Sequence, residues 1–391
     1  MKKFKDSNVK EDMVNYVQNE LHDVLNSFLN GGFSHKGFIL YPLVKDVSSE
    51  NKRRMSGIIS ALKKIDSGKF SSIVNYQDKQ LNRFNFASAI CQIYNNFAFT
   101  GKTLKTLEKK AVKPFNISEY NKEDKDYLKP VEDIKKIYSK CLKKYSLGFY
   151  IHGSFATKDY VKGWSDADTL LILKKSAFNK PLNLLEIRDV LYNLRENFYG
   201  IDPLQHHGVM IITEFDLNHY PEAFLPVDAL KHSKSLGGND RAMSFNIRDS
   251  KEEVMAKLNW VADYFKNLDV GKIKKSYDLK FMLHLMTLFP ALYLEAKGKY
   301  MYKKFSFDIA EKDFSEEDWK PIKYAENLRN KWKIEGKMPF INYLSKINPL
   351  LAYRLNSFYI DMAGGIRNKI DSEIIASGMK TLSKKALQRL K

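Results

Sequence analysis

The sequence predicts an α+β fold, with a small mixed sheet at the centre of the chain and helical domains on its N- and C-terminal sides. Three observations predict it. Apolar residues recur at helical spacing up to about residue 130 and again beyond about residue 246. Between these regions lie three short apolar runs of strand type, 149–151, 168–173 and 208–213, bounded by turn residues. A helix-patterned stretch separates the second run from the third, and strand, helix, strand in that order fits a mixed sheet with a helix laid against it. The domains are read as 1–130, 131–245 and 246–391, since 391 residues suffice for two or three domains with a sizeable core.

In chain order, Met13, Tyr16, Val17, Leu21, Val24, Leu25 and Phe28 fall on one helical face, and Gly31-Gly32 ends the pattern. Ser48-Ser49-Glu50 opens a second helix carrying Met55, Ile58, Ile59 and Leu62, and the aromatic-rich stretch 84–99 is a third. Residues 102–113 (KTLKTLEKKAVK) read as a solvated amphipathic helix, with phosphate contact as the functional alternative. A connector over 114–129 closes at Pro130, and a helix over 131–145 leads into the first strand. The middle helix is placed at 182–198 and ended by Gly200. Helices are then expected over 252–265 and 277–289, the second kinked or broken by Pro290, and over 314–332, 339–347 and 350–362. Gly364-Gly365 and a basic tail close the chain.

Composition narrows the function classes. A formal charge of +19 fits a polyanionic partner such as RNA, and scattered solvated lysines fit it equally. Two cysteines, Cys91 and Cys141, with no paired spacing, argue against a disulfide framework or a zinc site and fit a reducing cytoplasm. No apolar segment follows the basic N-terminus, and the apolar run 281–294 is short for a bilayer and contains Pro290. The expected location is cytoplasmic, with no membrane partner.

Chemistry concentrates in 148–175, GFYIHGSFATKDYVKGWSDADTLLILKK. Asp166 and Asp168 flank Ala167 at the start of a strand, so period-2 alternation points both carboxylates to one face. Two anions held together repel, and a hard divalent cation removes the conflict. Separated from Asp166 by eleven residues, Gly153-Ser154 offers a backbone that can approach a phosphate closely and a hydroxyl donor.

Gly153-Ser154-Phe155-Ala156, followed by Ser165-Asp166-Ala167-Asp168 and Leu170-Leu171, resembles the signature of the DNA-polymerase-beta-like nucleotidyltransferase superfamily. The resemblance covers about residues 148–173. It implies a nucleotidyltransferase core that moves a nucleoside monophosphate from an NTP substrate to an acceptor, with Mg²⁺ (or Mn²⁺) held by Asp166 and Asp168. It also implies that Gly153, Ser154 and Ser165 serve the nucleotide. The family usually adds a third carboxylate near the start of the neighbouring strand. Here that run reads Gln205-His206-His207-Gly208, with Asp202 before it and Glu214 and Asp216 at the far end. His207 is therefore expected beside Asp166 and Asp168, as a ligand or a proton acceptor, with Gly208 leaving room for a nucleotide. Lys303 and Lys304 are the candidate triphosphate contacts, with Lys274 and Lys275 behind them. Tyr150 and Trp164 are candidates for base stacking, with packing the ordinary role of Tyr150. Two other readings stay open: a nucleotide-binding regulatory protein of the same fold, and a basic nucleic-acid scaffold.

Overall fold

A computed structural model describes residues 9–31, 47–70, 82–202, 204–205, 207–237, 240–273, 275–332, 340–347, 349–362, 371 and 374–391. Gly32, His206, Lys274, Pro339 and Gly364-Gly365 lie outside the described residues.

Helix α1 (Val9–Leu29) buries Val14, Val17, Leu21, Val24, Leu25 and Phe28, a helical stripe facing the core. Helix α2 (Ser49–Ile65) begins under Ser48, whose hydroxyl accepts the Asn51 N–H at 3.1 Å. The short α3 (Ser67–Phe70) and α4 (Arg83–Asn96) follow. The helix expected within 102–113 is instead strand β1 (Lys105–Lys109), antiparallel to β7 (Met243–Arg248). Leu107 is half-buried between exposed Thr106 and Glu108, and Lys109 is buried with its ammonium 2.8 Å from Asp240. Pairing with a distant strand overrides local helix preference here.

Helix α5 (Lys125–Ile137) starts ahead of its expected position and carries Pro130 inside it. Burial of Leu128, Val131 and Ile134 offsets the one backbone bond the proline forfeits. The core then runs β2 (Ser146–Ile151), α6 (Gly153–Thr157), β3 (Thr169–Leu173), α7 (Pro181–Ile201) and β4 (Met210–Thr213). Besides β1, three further strands escaped the sequence reading: β5 (Tyr220–Pro221), β6 (Lys234–Gly237), which follows α8 (Val227–Lys231), and β7. Each of these three is short or lacks a continuous apolar run.

The first sheet has the order β4-β3-β2-β6, with β3 and β4 parallel and the other pairs antiparallel. The second has the order β1-β7-β5. Alternation decides the layers. Phe149, Ile151, Leu171, Leu173 and Ile211 face a core shared with α1, α2, α4, α5 and α7. Tyr150, Leu170, Ile172 and Ile212 face the second sheet through Tyr220, Phe245 and Ile247. The first of these cores runs from Val14 to Leu236, so the N-terminal helices and the sheet are packed as one body across residue 130.

A separate apolar core joins α9 (Lys251–Lys266), α10 (Ser276–Ala296), α11 (Ser306–Glu311), α12 (Glu316–Asn330) and α15 (Met379–Arg389), with α13 (Ile341–Ile347) and α14 (Pro349–Met362) between the last two. Helix α10 does not break at Pro290; it continues for 21 residues, because burial on both sides of the proline outweighs its cost of about 3 kcal/mol. Among the described residues it is the one helix long and apolar enough to cross a membrane, and 78% of its most apolar window is buried within the fold.

Candidate metal centre

The parallel register Leu170↔Met210 to Leu173↔Thr213 brings the starts of β3 and β4 to the same edge of the sheet. Asp166 and Asp168 precede β3, and His207 precedes β4. The end of β2 meets them there, where the His152 N–H donates to the Asp168 carbonyl at 2.9 Å. His207 Nε2 lies 3.0 Å from Asp166 Oδ2 and 3.3 Å from Asp168 Oδ1. One ligand atom from each of the three residues lies within 4.8 Å of the others, a grouping that can hold a metal ion.

The orientation of the imidazole is set on its far side. Nδ1 sits 3.0 Å from the Gly208 carbonyl oxygen. A carbonyl only accepts, so Nδ1 carries a hydrogen and Nε2 is the atom presented to the carboxylates. Burial alone would lower the His207 pKa, but hydrogen bonds to both aspartates outweigh it and hold the ring well above its ordinary value. His207 Nε2 therefore stands between the two carboxylates, where a cation would stand. This donor set fits a divalent ion: two anionic oxygens and one nitrogen converge, and their mutual repulsion calls for positive charge. His152 shows the reverse balance, since burial pulls its pKa down more than Asp168 pulls it up.

Three devices position the ligands. Gly153 has φ +70°, and a Cβ on it would lie 2.4 Å from Asp168 Oδ2. The close approach at this glycine is thus to the aspartate itself. Helix α6 is anchored behind it, with the Tyr120 hydroxyl donating to the Phe155 carbonyl at 2.6 Å and Phe155 stacked on Tyr160.

Gln205, fully buried, works as a short strand surrogate. Its Oε1 accepts the Ala167 N–H at 3.0 Å, and its Nε2 donates to the carbonyls of Ala167 at 3.3 Å and His207 at 3.2 Å. It thereby links the residue between the two aspartates to the histidine segment.

The third device lies on α1. Asn26 accepts the Ile211 N–H and donates to its carbonyl, both at 2.8 Å. Asn30 does the same to Val209 at 3.0 and 2.9 Å. A Cβ on Gly208 would lie 2.0 Å from Asn30 Oδ1, so the missing side chain makes room for Asn30 and not, as expected, for a nucleotide.

The remaining expected residues divide. Ser154 is half-buried in the first turn of α6. Ser165 is 3% exposed and its hydroxyl accepts the Val161 N–H at 2.9 Å, so it closes the turn before Asp166. Lys303 donates to Thr287 Oγ1 at 3.1 Å; burial, then Arg329, bring its pKa down to about 8, while Asp168 and Asp166 pull it up. Lys304 pairs with Asp159 at 3.3 Å instead, and Lys275 is exposed at the start of α10. Tyr150 is a core residue whose hydroxyl donates to Asp240. Trp164 is buried against Trp332.

Sequence reasoning missed Gln205, Asn26, Asn30 and Arg329. Gln205 stood in the scrutinised run, yet nothing in its spacing marks an amide clamp. The asparagines recur at i, i+4 on a helix, which reads as an ordinary polar face. Comparison with protein-family models, with curated proteins and with solved structures finds no match for this chain.

Proposed function

We propose that the chain is a metal-dependent nucleotidyltransferase, moving a nucleoside monophosphate from an NTP to an acceptor with release of pyrophosphate. The carrying observation is the convergence of Asp166, Asp168 and His207, with Lys303 electrostatically coupled to the two aspartates. A nucleoside triphosphate brings metal-bound phosphates and excess negative charge, and this pairing of an anionic ligand set with a lysine answers both. A divalent ion bound there would supply charge neutralisation at the reacting phosphate.

The chain's own groups have distinct tasks. Asp166 and Asp168 hold the ion, and Gly153 and Gln205 keep Asp168 and Ala167 in place. The Lys303 ammonium meets the triphosphate. The acceptor oxygen attacks the α-phosphorus as the bond to the pyrophosphate oxygen breaks. Nδ1 of His207 is engaged with Gly208, so Nε2 alone is available and ligation and proton acceptance compete for it. The charge of +19 supports a polyanionic acceptor, RNA foremost.

Incubation with each α-phosphate-labelled NTP, in Mg²⁺ or Mn²⁺, against RNA, protein and small-molecule acceptors should show label transfer. Asp166→Ala and Asp168→Ala should each reduce it about 10³-fold, the equivalent of several kcal/mol of lost charge stabilisation. Absence of both NTP binding and transfer would sink the proposal. The presence of histidine where the family usually has an acid favours one second reading, a nucleotide-binding regulatory protein. NTP binding without transfer to any acceptor would establish that reading instead.

A further inference from the structure

We infer that this centre selects a nitrogen-accepting transition-metal ion, of the Mn²⁺ to Zn²⁺ series, over Mg²⁺. The inference rests on the triad being the metal site of the proposed transferase, and of the two expected ions, Mg²⁺ or Mn²⁺, it favours Mn²⁺. Mg²⁺ favours oxygen donors in near-octahedral geometry and retains its water, whereas imidazole favours first-row transition ions.

The argument depends on His207 being an obligatory ligand and not a bystander. Its Nδ1 is engaged by the Gly208 carbonyl, which leaves Nε2 aimed at the carboxylates. The segment carrying it is pinned by Asn30, which both bonds Val209 and closes against Gly208. Turning the ring away would strand the Gly208 carbonyl and leave two carboxylates facing each other.

An oxygen ligand to replace it is also lacking among the neighbouring acids. Asp202 is fully buried and pairs with Lys280. Glu214 accepts the Lys175 N–H at 2.9 Å beyond the far end of β4. Asp216, also buried, accepts the Thr213 N–H and hydroxyl, both at 2.8 Å. These three acids are committed elsewhere, which leaves His207 as the third protein ligand to the group among the described residues.

The test uses the full chain, stripped of metal, with Mn²⁺ and Mg²⁺ salts as probes. Free Mn²⁺ is followed by electron paramagnetic resonance, Mg²⁺ is added as competitor, and electron spin-echo modulation reports nitrogen bound directly to Mn²⁺. Mn²⁺ should bind tighter than Mg²⁺ by on the order of tenfold or more, with a directly bound nitrogen signal. His207→Asp should abolish that signal, retain Mn²⁺ binding and narrow the preference by improving Mg²⁺ competition. Asp168→Asn should remove the Mn²⁺ site, which identifies the signal with this centre. Mn²⁺ bound at the Asp168-dependent site with no nitrogen signal, and an unchanged preference in His207→Asp, overturns the inference and leaves the transferase reading standing. Failure of Mn²⁺ to bind in any Asp168-dependent way overturns both.

Discussion

Gly153 carries two constraints at a single atom. Its backbone lies in the left-handed region, where a side chain costs about 1–2 kcal/mol. The space a Cβ would need is held by Asp168 Oδ2, 2.4 Å away. The two effects separate experimentally. Gly153→Ala should lose about 1–2 kcal/mol in urea unfolding from backbone strain. Its Mn²⁺ affinity should fall further than that stability loss explains, because the displaced carboxylate is itself a ligand. A variant with the expected stability loss but parental Mn²⁺ affinity would show that Asp168 is positioned without Gly153. Of this site the sequence made the pair Asp166 and Asp168 legible, because the period of a strand fixes which residues share a face. His207, expected from the resemblance as a ligand or a proton acceptor, lies beside both carboxylates, while the turn that Ser165 closes was not legible, because a serine beside an acid reads alike whether it serves a ligand or closes a turn.

Strand β4 is an edge strand whose outer side is closed by two side chains. Asn26 and Asn30, one turn apart on α1, each supply a donor and an acceptor in the spacing of a strand's backbone groups. Removing one leaves a buried N–H and carbonyl without those bonds, at about 1–3 kcal/mol. Asn30→Ala should therefore destabilise the fold by that amount and raise amide exchange at Val209, while Asn26→Ala should do so at Ile211. Unchanged exchange at both amides in native-state hydrogen-exchange measurements would show that the pairing is dispensable. The strongly periodic elements, α1, α2, β3 and α9, were readable because their apolar spacing matches their own geometry. Strand β1 was not, since its partner β7 lies more than a hundred residues away and its lysines favour helix in isolation.

Two of the contacts that bring the C-terminal helices to the centre run through Tyr302 and Lys280. Tyr302, beside Lys303, places its hydroxyl 3.5 Å from Thr157 Oγ1 on α6. Lys280 of α10 pairs with Asp202, the residue that caps α7, and lies 5.7 Å from the Trp164 ring. Burial raises the Asp202 pKa to about 6 despite the opposing pull of Lys280. A raised acid contributes stability fully below its unfolded pKa, near 4, and loses it as pH rises through about 6. Without Lys280 the folded pKa rises further, so the loss continues to higher pH. Lys280→Met should thus be less stable than the parent by a margin that widens from pH 5 to pH 8, reaching about 3–5 kcal/mol. A margin independent of pH in urea titrations would show that Asp202 is not left charged and buried.

The sequence by itself determined the α+β class, the central strand-helix-strand unit, the Asp166–Asp168 pair and the neighbourhood of His207. The first three follow from periodicities and spacings within a few dozen residues, and the neighbourhood of His207 from the resemblance to the nucleotidyltransferase signature. The tertiary structure decided what lies between distant segments. It placed Asn26 and Asn30 on the edge of β4, gave Gly208 its contact with Asn30 and not a ligand, and turned Ser165 inward. It carried α10 through Pro290, brought Lys303 into the field of the two aspartates, and paired Lys304 with Asp159. The physical reason is the same throughout. A side chain's hydrogen-bond partner and its burial are set by residues far away in the chain, and no local period encodes them.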